Sequence, residues 1–246
     1  MDYKELQNHL DISRRIYFTD FFLLACMLIA IIACILFLKE EKYGFLFLVY
    51  SISAFTLMND DYVLIFSNRA GLLEKFVLYG NLIFAYVELV VFSLFFRALF
   101  KSAIIKTITN TAIGLFSMAL LFFFVYYLPG HRIHSEITKF SDFFISSELL
   151  YLFGFCLTYY YNLVRRSSDL LQQSSPSFWI VTGLFIYTLI IIPFFMLDTE
   201  IRNTSRKLDD IAYAIHYITF GFLFLAIAKA LFIRKSLTQN MNSGDY

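Results

Sequence analysis

Apolar runs about the length of a bilayer-spanning helix recur along the chain, each closed by a cluster of charged residues such as Lys39-Glu40-Glu41-Lys42 or Arg165-Arg166. This alternation predicts seven spans at residues 18–38, 44–66, 75–99, 103–127, 141–163, 178–197 and 210–233. The second is the most interrupted. Asn59, Asp60 and Asp61 break it and leave only Val63 to Phe66 beyond them, so these three must meet a membrane face or a wet cavity. The pattern predicts an N-terminal surface segment over 1–17, in which Leu6, Leu10 and Ile12 among polar residues mark a short helix lying on the membrane surface, a bundle over 18–235 and a cytoplasmic tail over 236–246. The first span does not read as a cleaved signal peptide. Its apolar run is too long, acids precede it, and no small-residue cleavage site follows.

Composition makes the same case from another side. Of 246 residues, 59% are apolar and only 16% are charged, with 31 Phe and 17 Tyr, and the mean hydropathy is +0.68. The fold class expected is an all-α integral membrane protein, a seven-transmembrane helix bundle. Seven spans with short connections use up a chain of this length. That excludes an attached kinase, nucleotide-binding or DNA-binding domain, and no nucleic-acid partner or cofactor is expected. Cys26, Cys34 and Cys156 all lie in apolar runs, where a thiol acts as a small hydrophobe.

Lys and Arg divide evenly between the two sides of the predicted bundle, ten to each. The acids do not: thirteen lie on the side of the N-terminus and four on the other. The resulting charge difference favours an N-out, C-in orientation. The predicted location is a bacterial inner membrane, crossed several times.

Two acids remain, Glu88 and Glu148, both well inside predicted spans, where each costs ~2.5–3.5 kcal/mol at the bilayer centre on insertion scales. Asn81 precedes Glu88 by seven residues and lies about 20° away around the helix, so the two share a face. Glu148 stands beside Ser146 and Ser147, with Tyr151 one turn on. Asp209, Tyr213 and His216 form an i, i+4, i+7 stripe in the seventh span. Under N-out, Asn81, Glu148 and His216 fall within about two turns of the outer surface, together with Asn59, Asp60 and Asp61. This predicts a ligand pocket in the outer half, built from Asn81, Glu88, Glu148, His216, Tyr151 and Tyr213 within aromatic walls. The competing reading is structural: Glu88 and Glu148 bond across helices to Tyr, Asn or Ser.

Other features carry less. Lys229 differs from a retinal-binding lysine in depth, because it lies near Arg234 and Lys235 and can snorkel to the surface. His131, His134 and Glu136 have a spacing that could hold a metal, but in a mixed-charge loop they read as solvated surface, and no metal site is expected. The chain contains no Gly-x-Ser-x-Gly elbow and no Gly-rich phosphate loop. Tyr126, Tyr127, Tyr159, Tyr160, Tyr161 and Trp179 suit interfacial belts, Pro193 suits a kink, and no internal repeat marks transporter halves.

Four stretches carry a family resemblance: Asn81-Leu-Ile-Phe-Ala-Tyr-Val-Glu88, Ile145-Ser-Ser-Glu148-Leu, Phe178-Trp-Ile-Val-Thr-Gly-Leu-Phe-Ile-Tyr187 and Ile215-His-Tyr-Ile-Thr-Phe. With them the chain resembles uncharacterised seven-helix integral membrane proteins of Bacteroidota, over roughly 75–233. Some members are encoded near two-component or transcriptional regulators, and the resemblance therefore implies sensing. It also carries that group's third-helix Asn and Glu, fifth-helix Glu and seventh-helix His onto Asn81, Glu88, Glu148 and His216. Tyr217 replaces the usual Asn after the seventh-helix His, which puts any His–Asn pairing in doubt.

The expected function is a membrane-embedded sensor or signalling accessory protein that binds a small or lipidic ligand in its outer half. It would act through a partner, a sensor kinase or other signalling protein. One alternative is a lipid-modifying enzyme using Glu88, Glu148 and His216 as acid and base, and another is a small transporter.

Overall fold

The computed structural model describes residues 3–38, 43–66, 70–100, 102, 103–127, 134–165, 175–204 and 206–243. Seven helices account for almost all of them: α1 (Tyr3–Phe37), α2 (Gly44–Phe66), α3 (Ala70–Leu99), α4 (Ala103–Tyr127), α5 (His134–Arg165), α6 (Pro176–Thr204) and α7 (Arg206–Ser243). No strand occurs among the described residues. Six helices contain stretches long and apolar enough to cross a bilayer: Phe18–Phe37, Tyr79–Leu99, Ala103–Tyr126, Lys139–Arg165, Pro176–Leu197 and Ile211–Ile233. In α2 the described apolar stretch is the shorter Gly44–Leu57. The chain is a multi-pass helical membrane protein.

The helices outrun the predicted spans at several ends. α1 is continuous from Tyr3, so the N-terminal segment extends the first span and is not a separate surface helix. α7 runs on to Ser243, which makes most of the predicted tail helical. Both extensions are polar, and a helix leaving the hydrocarbon can continue because its backbone bonds are already made within the helix. α6 passes through Pro193 and reaches Thr204, with only Ser205 between it and α7.

Six helices close a ring in the order α1, α2, α3, α5, α6, α7 and back to α1, with α2 and α7 also touching across it. α4 lies outside this ring. It packs on α3 and lays Phe116 and Phe123 against Phe144 and Phe140 of α5, with ring centroids 5.0 and 4.9 Å apart. Leu82, Ala85, Phe123 and Phe144 form a small separate core there. The main core joins the inner faces of the six ring helices. Outward faces are apolar: Ile32, Ile35 and Leu36 of α1 and Leu115, Met118, Leu121 and Val125 of α4 are all exposed, as lipid contact requires.

Close approach and polar bonding hold neighbouring helices together, as expected where lipid removes the usual hydrophobic drive between them. A Cβ on Gly183 of α6 would lie 2.6 Å from the Ala226 Cβ of α7, so only glycine allows that contact. Across α3 and α4, Tyr86 and Ser117 hydroxyls are 2.6 Å apart and Arg97 donates to Asn110 at 3.0 Å. Between α5 and α6, the Tyr160 and Thr182 hydroxyls meet at 2.8 Å. Lys229 Nζ sits 3.2 Å above the Trp179 ring and ties the end of the α7 span to the start of α6. Cys26, Cys34 and Cys156 are free and buried, as their apolar surroundings predict.

Candidate functional site

The inward face of α2 follows helical spacing: Phe47, Tyr50, Ser51 and Ala54 are all buried, in an otherwise strongly apolar segment. Tyr50 is the hub of the bundle. Its ring is stacked between Phe84 of α3 and Phe224 of α7, with centroids 5.5 and 5.4 Å away, and meets Phe92 edge-on at 5.3 Å. This aromatic clamp fixes the phenol, whose O–H donates to Glu88 Oε1 at 2.8 Å. Glu88 therefore has the cross-helix tyrosine bond that the structural reading foresaw.

Glu148 differs. It is fully buried on the inward face of α5, and neither carboxyl oxygen has a hydrogen-bond partner. It is close enough to Glu88 for the two carboxyls to interact electrostatically, and Tyr50 and the buried Tyr187 of α6 both interact with the two acids. Two carboxyls and two phenols from α2, α3, α5 and α6 thus form one polar centre. No positively charged group pairs with either acid among the described residues: Arg97 bonds Asn110, Lys229 sits on Trp179 and Arg165 lies over Tyr161.

Depth places this centre at the middle of the membrane and not near one mouth. Glu88 and Glu148 lie nine residues from the span ends at Tyr79 and Lys139, and Tyr187 lies ten from Leu197. At about 1.5 Å per residue this is roughly 15 Å, half of a ~30 Å hydrocarbon core. The expected grouping of Asn81, Glu148 and His216 at a single level is corrected accordingly. Asn81 is only two residues from Tyr79, and His216 five from Ile211. The partner level with Glu148 is Glu88.

The remaining candidates fall around the centre. Asn81 is half-buried on α3 and makes no bond to it. Tyr151 is half-buried and bonds Ser93 at 3.0 Å, bracing α3 against α5 beside the acids. His216 touches the Tyr187 ring at 6.1 Å and also contacts Phe195, Tyr217 and Phe220, but makes no side-chain hydrogen bond to either carboxyl. Tyr213 is 43% exposed and turns outward beside Tyr217, so it lies away from the centre. The side chains of Asn59, Asp60, Asp61, Asp209, His131, His134 and Glu136 lie outside the described residues.

Sequence reasoning missed Tyr50 and Tyr187, two buried tyrosines in apolar runs. The available signal was the Tyr50-Ser51 polar pair on the inward stripe of α2. Asp20 stands at a span end as expected, two residues from Phe18, but its side chain is buried, 2% exposed. Among the described residues no cluster of three or more His, Cys, Asp or Glu has metal-binding geometry.

This fold and centre define a class, a multi-pass helical membrane protein with a buried two-carboxyl site. No protein-family model, curated protein or solved structure matches the chain.

Proposed function

We propose that this protein is a bacterial inner-membrane sensor or signalling accessory protein, oriented N-out and C-in. It binds a small ligand at the Glu88–Glu148 centre and passes the change to a partner protein. The observation that carries this reading is Glu148 itself: fully buried, with both oxygens unpartnered. A buried acid without partners costs stability, and proteins retain such groups mainly where they serve function. The tight enclosure of the centre favours a small ligand over a lipidic one.

Rearrangement has a clear route outward. Tyr50 contacts α3 and α7, and Tyr187 contacts Phe220 at 5.2 Å, so a ligand that moves the acids shifts rings on α7 and α6. α6 and α7 end and begin near the same membrane face, and Arg234-Lys235 on α7 and Arg165-Arg166 at the end of α5 supply basic residues for a partner at the opposite one. The resemblance to Bacteroidota proteins encoded beside two-component regulators supports a sensor kinase or related signalling protein in that role. For the lipid-modifying alternative, three acid and base groups must reach one substrate atom. His216 meets the centre only through the Tyr187 ring, which weighs against it.

Affinity capture of the full chain from native membranes, with crosslinking and mass spectrometry, tests the proposal. Capture of a histidine kinase or other signalling protein in amounts that change with Glu148→Gln is the expected result. A partner-free monomer in mild detergent, identical for both forms, contradicts it.

A further inference from the structure

The ligand of this centre can be narrowed by asking what satisfies it, on the reading that Glu88 and Glu148 form a ligand site. Two carboxyls at mid-membrane cannot both be ionised without positive charge beside them. Among the described residues the protein supplies none: Lys229, Arg97 and Arg165 are all engaged elsewhere, at or near span ends. A proton on Glu148 removes its charge but creates an O–H donor in a place where neither oxygen has a hydrogen-bond partner. Protonation alone therefore exchanges one unsatisfied group for another.

A cation satisfies both oxygens together. The groups that interact electrostatically around Glu148 are the Glu88 carboxyl and the Tyr187 and Tyr50 phenols, all oxygen donors of the kind that suits a hard ion. Calcium takes six to eight oxygens, and magnesium keeps several of its waters. The Glu148 oxygens are closed to solvent and the set is small, so neither divalent ion suits it. Charge balance is also met by a monovalent ion. One monovalent cation at Glu148 and one proton on Glu88 neutralise two carboxyls, and the Tyr50 O–H already serves Glu88.

We infer that Glu148 and Glu88, flanked by Tyr50 and Tyr187, form a binding site for a dehydrated monovalent metal cation of the sodium class. The ion joins α5 to α3, with α2 and α6 adjoining through their tyrosines. Its arrival or departure is the event by which the sensor reads the ionic composition of its surroundings.

The test uses the purified full chain in lipid nanodiscs. Thermal unfolding is followed in sodium, potassium, N-methylglucamine, magnesium and calcium chlorides at equal ionic strength, together with binding of radioactive sodium. A saturable, sodium-selective rise in Tm and stoichiometric sodium binding are expected. Glu148→Gln should abolish both, and Glu88→Gln should weaken sodium affinity at least tenfold. Equal Tm values in all monovalent salts, a response confined to the divalent salts, or sodium binding that survives Glu148→Gln overturns the inference. If Glu148→Gln does not fold, Tyr187→Phe decides the matter: reduced sodium affinity supports the site, and unchanged affinity overturns it. Failure here is separable from failure of the sensor reading. Glu148-dependent partner capture without sodium binding removes the cation alone, whereas sodium binding without partner capture removes the signalling role alone.

Discussion

Replacing Glu148 by Met removes a fully buried carboxyl that has no hydrogen-bond partner at either oxygen. Met has nearly the same volume and flexibility, so the exchange opens no large cavity. A buried polar group without a partner costs about 1–3 kcal/mol, and an acid at a span centre costs ~2.5–3.5 kcal/mol on insertion scales, which sets the upper bound. Glu148→Met is therefore expected to stabilise the fold by about 1–3 kcal/mol in sodium-free buffer, with the gain shrinking as sodium is added. Glu88→Met should behave in the opposite way. It orphans the Tyr50 hydroxyl between Phe84 and Phe224 and is expected to cost about 1–3 kcal/mol. Equilibrium unfolding in mixed micelles, followed by helical circular dichroism and by the fluorescence of Trp179, the single tryptophan, measures both. A loss of more than about 1 kcal/mol in Glu148→Met would refute the reasoning, because only a bonded acid loses stability on that exchange.

Three further outcomes are expected. Tyr50→Phe keeps the stacked ring but removes the bond to Glu88, and a double-mutant cycle with Glu88→Met, which removes the acceptor, should give a coupling of about 0.6–1.7 kcal/mol, the average to the maximum found for hydrogen bonds between membrane helices; zero coupling contradicts the bond. Gly183→Ala forces a Cβ to 2.6 Å from Ala226 and should cost about 1–3 kcal/mol, whereas Gly154→Ala meets nothing within 4 Å and should be neutral or gain ~0.5–1 kcal/mol, both read by the same unfolding assay. A C-terminal fluorescent fusion should glow and an alkaline phosphatase fusion should stay inactive if the orientation is C-in; the reverse pattern contradicts it.

The spans were legible because hydrocarbon thickness imposes both a length and a composition on each helix. Predicted 103–127 and observed Ala103–Tyr127 coincide; for 44–66 the helix Gly44–Phe66 matches in its bounds, but its described apolar stretch is only Gly44–Leu57. Helix beyond the membrane was not legible at Ser243, nor was the continuity of the N-terminal helix with the first span, because hydropathy reports where the lipid ends and not where helical backbone ends. In the centre, Glu88 and Glu148 stood out by the cost of placing them in lipid. Their shared level and their neighbour Tyr50 did not. Periodicity gives the face of a helix, but which faces meet depends on the order of helices around the ring, and the displacement of α4 from that ring has no mark in its own apolar pattern. Tyr213 shows the converse error, since a correct helical stripe through His216 extends onto the exposed side of α7.

The central claim is that the Glu88–Glu148 centre is kept for function at a cost in stability. Measuring signalling-partner capture for a Glu148→Met protein whose stability is determined in the same preparation tests it most directly. The expected result is a protein at least as stable as the wild type whose capture of the signalling partner no longer follows the wild-type pattern. A stable Glu148→Met protein that captures the same partner to the same extent would contradict the claim.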